Sequence, residues 1–304
     1  MRRRSLWTDL SAPALARPLD RRAFTRGALA ALGLGAVAVA CGGKGDSAAD
    51  SGAGEGDDGS DGSDGGGDID GGDGLSDADV AWATGGTAAM AGGYPDPFTD
   101  TPEACALTCE VTLGPCYIET IEREDISEGS TGLPMRLCFR VVDSDCNPVV
   151  GAAVDVWHTN LAGLYSGEEA AEMCTGGDAA AVAGRWFRGV QNTDSEGKVF
   201  FNSCFPGWYS SRAVHIHLLV RVGGEAFVIT QVFFASELLE DIFSNQPEYA
   251  AFGQPNVSND EDSLIADADP DMLQMNTARQ ADGALLAYKT LVVRTSLSES
   301  SCAV

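Results

Sequence analysis

The chain has 304 residues and a formal net charge of −26, distributed as +5 over residues 1–41, −11 over residues 42–80 and −20 over the remainder. So negative a chain excludes nucleic acid and anionic lipid head groups as partners of its folded part. Nine cysteines argue against a reduced cytosol and point to an oxidising compartment.

Residues 1–41 read as an export signal. A basic start leads to Arg21-Arg22 and Phe24, the pattern of twin-arginine signals, and then to an apolar run, Gly27 to Ala40, too short to span a bilayer. Ala38-Val39-Ala40-Cys41 resembles a bacterial lipoprotein cleavage site, although Ala38 stands where Leu is more usual. The expectation is an exported cell-envelope lipoprotein that meets the membrane only through a lipid on Cys41. An ordinary signal peptide with an incidental cysteine is the alternative.

Residues 42–100 are expected to form a tether. Within 42–80, fourteen Gly and eleven Asp leave almost nothing apolar to offset the entropy of ordering. Calcium binding by the Asp-Gly stretch is the rival reading, but the spacing is irregular and lacks a terminal bidentate Glu. Eight cysteines follow Cys41, enough for four bridges whose pairing the sequence does not choose. None of them shows the two-residue spacing usual for zinc or iron–sulfur sites.

The globular part is assigned to residues 101–304. Strands are expected over Met135–Val142, Ala152–His158, Lys198–Cys204, Ala213–Val222, Ala226–Phe234 and Leu285–Thr295. Asp143–Pro148 reads as a turn, Gly223-Gly224-Glu225 as a hairpin connection and Glu237–Phe243 as a short helix. Many strands at short intervals with little helix argue for an all-β, antiparallel sandwich with long loops.

Only three His and six Tyr occur in the chain, so their placement is informative. His215 and His217 flank Ile216 in an extended run, and the period of two puts both imidazoles on one face of the strand. Spacing alone does not separate a ligand pair from two histidines on a solvated face. Tyr209 and Arg212 lie just upstream, and Tyr165 follows the Val-rich strand, where loops carry site residues.

The run Asp155–Tyr165, the cluster Pro206, Tyr209, Arg212, His215-Ile216-His217, Gln231 within Thr230–Phe234, and Leu113-Gly114-Pro115-Cys116-Tyr117 together resemble the intradiol ring-cleavage dioxygenases, the family of protocatechuate 3,4-dioxygenase and catechol 1,2-dioxygenase. The resemblance covers roughly residues 105–235, with four elements in family order. It implies a β-sandwich holding non-haem Fe(3+) by Tyr165, Tyr209, His215 and His217, and cleavage of a catechol-type ring by O2 to a muconate-type diacid. Hard phenolate oxygens suit iron(III), whereas the two-His-one-carboxylate oxygenases need a carboxylate that this cluster does not offer.

Further roles follow from the same resemblance. Tyr209 matches the tyrosinate that the substrate displaces and that takes up a proton, and Arg212 the arginine that stabilises negative charge on the substrate. On a regular strand Arg212 would point away from His215, so its role requires an irregular entry. Gln231 matches a glutamine beside the centre, with a surface role as the alternative. His158 and Trp157 are expected to be packed residues, while Pro115 and Tyr117 either line the pocket mouth or pack beside a bridge. Only five residues separate Tyr209 from His215, the compact form of secreted members, which implies a more open pocket for substituted or larger catechols such as lignin- or humus-derived phenols. The N-terminal helical region of the catechol 1,2-dioxygenases has no counterpart in the tether. A second reading comes from another class: Val149–Val156 also suits the transthyretin-like sandwich modules, which bind rather than catalyse and would be colourless.

Overall fold

A computed structural model describes residues 80–100, 104–266 and 268–304. The expected export signal, Cys41 and residues 42–79 of the expected tether lie outside the described residues. Two four-stranded sheets face each other. One runs in the order β4 (Lys198–Cys204), β1 (Pro134–Asp143), β8 (Leu285–Val293), β7 (Asn276–Arg279), and the other β3 (Arg188–Asn192), β2 (Ala153–Trp157), β5 (His215–Val222), β6 (Glu225–Phe233). The antiparallel sandwich expected from the sequence is the architecture found, with one parallel pair, β1 with β8. That pair arises because the chain leaves β6, runs through helix α1 (Ser236–Asn245) and the edge strand β7, and re-enters beside β1 as its last strand, β8.

Alternation builds the core. Leu137, Phe139 and Val141 of β1, Val154 and Val156 of β2, and Ile216, Leu218 and Val220 of β5 point inward and are fully buried. α1 closes one end with Leu239, Ile242 and Phe243. Gly223 and Gly224 both take positive φ (60° and 88°), as a two-residue hairpin between β5 and β6 requires. Strands β3 and β7 escape the sequence reading because they are short edge segments, Arg188-Gly-Val-Gln-Asn and Asn276-Thr-Ala-Arg, without an apolar alternation.

The β5 run is buried on both faces. Its outer face, which carries His215, His217 and Leu219, is roofed by the segment around residues 109–117. Thr230 Oγ1 donates to the Cys109 carbonyl (2.7 Å), Val111 N to the Ile229 carbonyl (2.9 Å) and Gln231 Nε2 to the Thr112 carbonyl (2.8 Å). The histidines are therefore not on a solvated face.

Residues 80–100 correct the tether boundary, because they pack against the sandwich. Trp82 is buried in the main core, donates from Nε1 to Asp241 (3.0 Å) and carries the Arg279 guanidinium 3.6 Å above its ring. Phe98 packs with Cys138 and Leu286. A Gly-rich average hides two aromatic anchors, each able to bury a large apolar area.

Three disulfides form, Cys105–Cys146, Cys109–Cys302 and Cys116–Cys174. A fourth does not. Cys138 and Cys204 sit on neighbouring strands, but Cys204 lies opposite Pro134, four residues along, and the two thiols belong to different buried clusters. Burial pushes both thiols up to about 12, so they are inert at neutral pH. No helix among the described residues is long and apolar enough to cross a membrane.

Candidate active site

Two loops bring the tyrosines to the histidines. After β2, Asn160 Oδ1 accepts from the amides of Ala162 and Leu164 (both 3.0 Å) and folds the chain into a tight turn. Gly163 in that turn has φ +75°, and a Cβ there would stand 2.2 Å from the Trp208 carbonyl oxygen. Only glycine lets the turn settle on the Trp208-Tyr209 backbone. Thr159 Oγ1 and the Gly207 amide complete the seam, bonding the Gly207 and Asn160 carbonyls (2.7 and 3.0 Å). The result sets the Tyr165 and Tyr209 rings 6.0 Å apart, edge to face.

Four donor atoms converge. Tyr165 Oη lies 3.2 Å from His215 Nε2 and 3.1 Å from His217 Nε2, the two Nε2 atoms are 3.1 Å apart, and Tyr209 Oη is 3.5 Å from His215 Nε2. Two donors that each sit about 2 Å from one shared ion are about 3 Å from each other, which is this spacing. Tyr165, His215 and His217 are each 3 % exposed, whereas Tyr209 is half-buried. The sequence-derived set Tyr165, Tyr209, His215 and His217 is thus brought together.

Protonation sharpens the point. His215 Nδ1 donates to the Ala213 carbonyl (2.7 Å), which leaves Nε2 as a bare lone pair. Burial pushes the His215 imidazole down to about 3 and that of His217 well below its ordinary value. Burial likewise raises the Tyr165 phenol strongly, and raises Tyr209 against the pull of the Arg212 guanidinium. His217 Nδ1 has no partner, so in the metal-free protein its ring proton can lie on Nε2, bonded to His215 Nε2 or Tyr165 Oη; with that proton on Nδ1 instead, both Nε2 lone pairs face the shared point. A cation there would take both. Its affinity would depend on the phenols, since no group of three or more His, Cys, Asp or Glu among the described residues is placed to hold a metal ion. The donor set, two imidazole nitrogens with two phenol oxygens, fits a hard trivalent ion.

The surrounding side chains hold this geometry. The His217 ring stacks on Trp157 at 4.9 Å with an interplanar angle of 10°, and its Nδ1 has no hydrogen-bond partner. Gly114, with φ +73°, backs the same ring so closely that a Cβ would stand 3.1 Å from His217 Cε1. Tyr117 packs edge-on against Trp157 and accepts from Arg221 (3.2 Å), beside the Cys116 bridge, while Pro115 is exposed. Trp157 is buried, as expected.

Arg212 lies beside Tyr209 and just after an irregular turn that precedes β5. Ser211 adopts φ +77° just before β5, which breaks the strand alternation. The guanidinium is gripped by Asp262, which accepts from Nε at 3.1 and 2.8 Å, and by Gln231, which accepts from Nη2 at 2.5 Å. Gln231 is buried opposite His217 on β6, so a surface role is excluded. Nothing in the sequence marks Asp262, one of several acids in the loop around residues 258–269. Burial separates it: it is fully buried and also accepts from the Ala213 amide (2.9 Å). Arg188 was missed with its strand, although it packs against Tyr165.

His158 is packed and not convergent with the others. Its Nδ1 meets the Thr159 carbonyl and its Nε2 the Ser203 hydroxyl (both 2.8 Å), and its ring stacks on Phe187. Burial pushes this imidazole down to about 4, with the Thr159 bond opposing. The unfolded chain therefore takes its proton first as pH falls. The stabilisation is present above about pH 6.5 and erodes down to about pH 4 at about 1.4 kcal/mol per unit, about 3 kcal/mol in all. Denaturant unfolding of metal-free protein from pH 7.5 to 4.5 is expected to show this slope reduced in His158→Gln relative to wild type; equal slopes would place the titration elsewhere.

Comparison with known proteins agrees with the geometry. The sequence model of a family described as Dioxygenase matches residues 113–273, more than half of the chain and all of the residues above. A 6-chlorohydroxyquinol 1,2-dioxygenase of Cupriavidus pinatubonensis is 25 % identical over 157 residues, covering 44 % of this chain and 52 % of that one. The intradiol ring-cleavage dioxygenase hqdA of Aspergillus niger is 24 % identical over 188 residues, 50 % of this chain and 54 % of that one, so the chain spans about half the length of these curated relatives. Among solved structures, an intradiol ring-cleavage dioxygenase of Tetranychus urticae is 29 % identical with a TM-score of 0.55, covering 62 % of this chain and 95 % of that one. With a family match spanning the converging tyrosines and histidines and a fold shared with the Tetranychus urticae dioxygenase, the chain belongs to the intradiol ring-cleavage dioxygenases.

Proposed function

We propose that this protein is an iron(III)-dependent dioxygenase that opens a catechol-type ring between its two hydroxylated carbons, adding both atoms of O2 to give a muconate-type diacid. Tyr165, Tyr209, His215 and His217 hold the ion. The observation that carries the reading is the convergence of their four donor atoms within 3.1–3.5 Å in a buried setting. A ferric ion bound there would supply Lewis acidity toward the two hydroxyl oxygens of the substrate and keep both phenols ionised at neutral pH.

The chain's own residues divide the remaining work. Tyr165 Oη touches both imidazoles from the buried side and is the fixed ligand. Of the two imidazoles Tyr209 Oη meets only that of His215, from a half-buried position, and it is placed to take a substrate hydroxyl proton on its oxygen. Arg212, aimed by Asp262 and Gln231, sets a fixed positive charge beside that phenol, where the anionic substrate accumulates charge. A non-catalytic sandwich module would have no use for two imidazole nitrogens and two phenol oxygens converging on one buried point.

The experiment is metal analysis with a visible spectrum before and after anaerobic addition of catechol, followed by turnover of a catechol panel. Stoichiometric iron, a tyrosinate charge-transfer band that shifts with catechol, and turnover of bulky ring-substituted catechols at least equal to the parent are expected, the last from the compact Tyr209–His215 connection. Colourless protein without iron would overturn the oxygenase reading. Strong preference for unsubstituted catechol would overturn the open pocket alone.

A further inference from the structure

Tyr165 sits inside a closed ring of contacts that its ligand role does not account for. Its amide donates to the Cys174 carbonyl (2.9 Å). Cys174 is bonded through sulfur to Cys116, in the segment whose Gly114 backs the His217 ring. The Cys116 carbonyl accepts from Arg188 Nη2 and the Ser166 carbonyl from Arg188 Nε, both at 2.8 Å, which brings the circuit back to the residue after Tyr165. Arg188 is 1 % exposed, and its guanidinium carbon stands 5.9 Å above the centre of the Tyr165 ring. Cys116, Trp157, Tyr165, Cys174 and Leu219 form their own buried cluster outside the main core.

A buried arginine fastening two loop carbonyls is a costly arrangement, since its charge has no carboxylate among its hydrogen-bond partners. The Tyr165 loop and the Gly114–Cys116 segment approach the histidines from different parts of the chain; beside the packing of Ile118 on Gly167, the disulfide and the guanidinium are the covalent and polar links between them.

We infer that Arg188 and the Cys116–Cys174 disulfide are positioning groups that clasp Tyr165 against His215 and His217, so that the protein keeps its iron only while this bridge is oxidised. The inference rests on the iron reading above. Arg188 supplies the fixed fork and the disulfide the covalent limit on how far the two segments separate. Without either, Tyr165 Oη is free to drift from the shared point, and the ion loses its most buried oxygen. The other two bridges lie outside this ring; Cys105–Cys146 ties the start of the described segment to the turn after β1.

The test follows iron release from loaded protein to the ferric chelator desferrioxamine, and backbone hydrogen exchange over residues 164–175 in metal-free protein. Cys116→Ser/Cys174→Ser is expected to release iron on the order of 10- to 100-fold faster and to exchange faster in that window, while Cys105→Ser/Cys146→Ser matches wild type. Arg188→Met should behave like the opened bridge, with partial recovery in Arg188→Lys, which keeps the charge and one carbonyl contact. Should Arg188→Met fail to fold, Arg188→Lys and the bridge pair carry the test. Wild-type release rates in Cys116→Ser/Cys174→Ser, or an equal increase in the Cys105→Ser/Cys146→Ser control, would overturn the clasp. Wild-type protein that never takes up iron would instead sink the iron reading, and the clasp with it.

Discussion

Replacing Tyr165 by Phe is expected to remove most of the iron and the visible absorption together, weakening ferric affinity by more than about 100-fold. Groups that merely support a metal ligand already cost about 10- to 100-fold when lost, and here a ligand itself is removed. The substitution is also gentle on the fold. The ring keeps its place among Cys116, Trp157 and Cys174, its edge contact with Tyr209 and its position under Arg188. Only Oη disappears, and with it the one oxygen within 3.2 Å of both imidazole Nε2 atoms. The metal-free variant should lose about 1 kcal/mol or less, the net worth of an ordinary hydrogen bond. Tyr209→Phe makes the informative contrast. Tyr209 Oη reaches only one of the two imidazoles, that of His215, and stands half-buried, so its loss should leave more iron bound and fall mainly on turnover. Elemental analysis beside the visible spectrum distinguishes the two variants, and an unchanged iron content in Tyr165→Phe would take that residue out of the ligand set.

Much of this site is legible in the sequence because it depends on local periodicity. His215 and His217 share a face for the same reason that Ile216, Leu218 and Val220 share the opposite one, and Tyr165 and Tyr209 each follow a recognisable strand. The sandwich is legible for the same reason. What escapes is whatever depends on long-range partners. Asp262 looks like its acidic neighbours until the fold buries it under Arg212, 50 residues away. Arg188 belongs to a five-residue edge strand whose only signature is its pairing with β2. The Arg212 side chain returns to the histidine side because Ser211 takes a left-handed conformation, which a serine codon does not announce. Eight cysteines after Cys41 suggest four bridges by arithmetic, yet register and burial in separate clusters keep Cys138 from Cys204. Composition also misplaces the edge of the folded unit, because Trp82 and Phe98 outweigh the glycines around them.

Arg212 and Asp262 should separate chemistry from scaffolding. The pair is buried, with 13 % of the arginine side chain and none of the aspartate exposed, so solvent screens it weakly. Removing the carboxylate in Asp262→Ala leaves the guanidinium unpaired and orphans the Ala213 and Leu264 amides, an expected loss of about 3–5 kcal/mol in unfolding free energy. Arg212→Met leaves an acid behind that still accepts from those two backbone amides and is freer to relax toward solvent, so its stability loss should be smaller. Its kcat should nevertheless fall by about 100- to 1000-fold, the usual consequence of losing one aimed positive or hydrogen-bonding group beside developing charge, with iron content unchanged. The two variants thus move different observables if Arg212 acts on the substrate: stability for Asp262→Ala and kcat at full iron loading for Arg212→Met. If Arg212 served only to anchor the start of β5, both variants would lose stability and iron in parallel, and the iron-bound fraction of Arg212→Met would turn over at the wild-type rate. Gln231→Leu refines the assignment, because it frees Nη2 while leaving the Asp262 grip intact. A fall in kcat without loss of iron in that variant would show that the aim of the guanidinium, and not its charge alone, sets the rate.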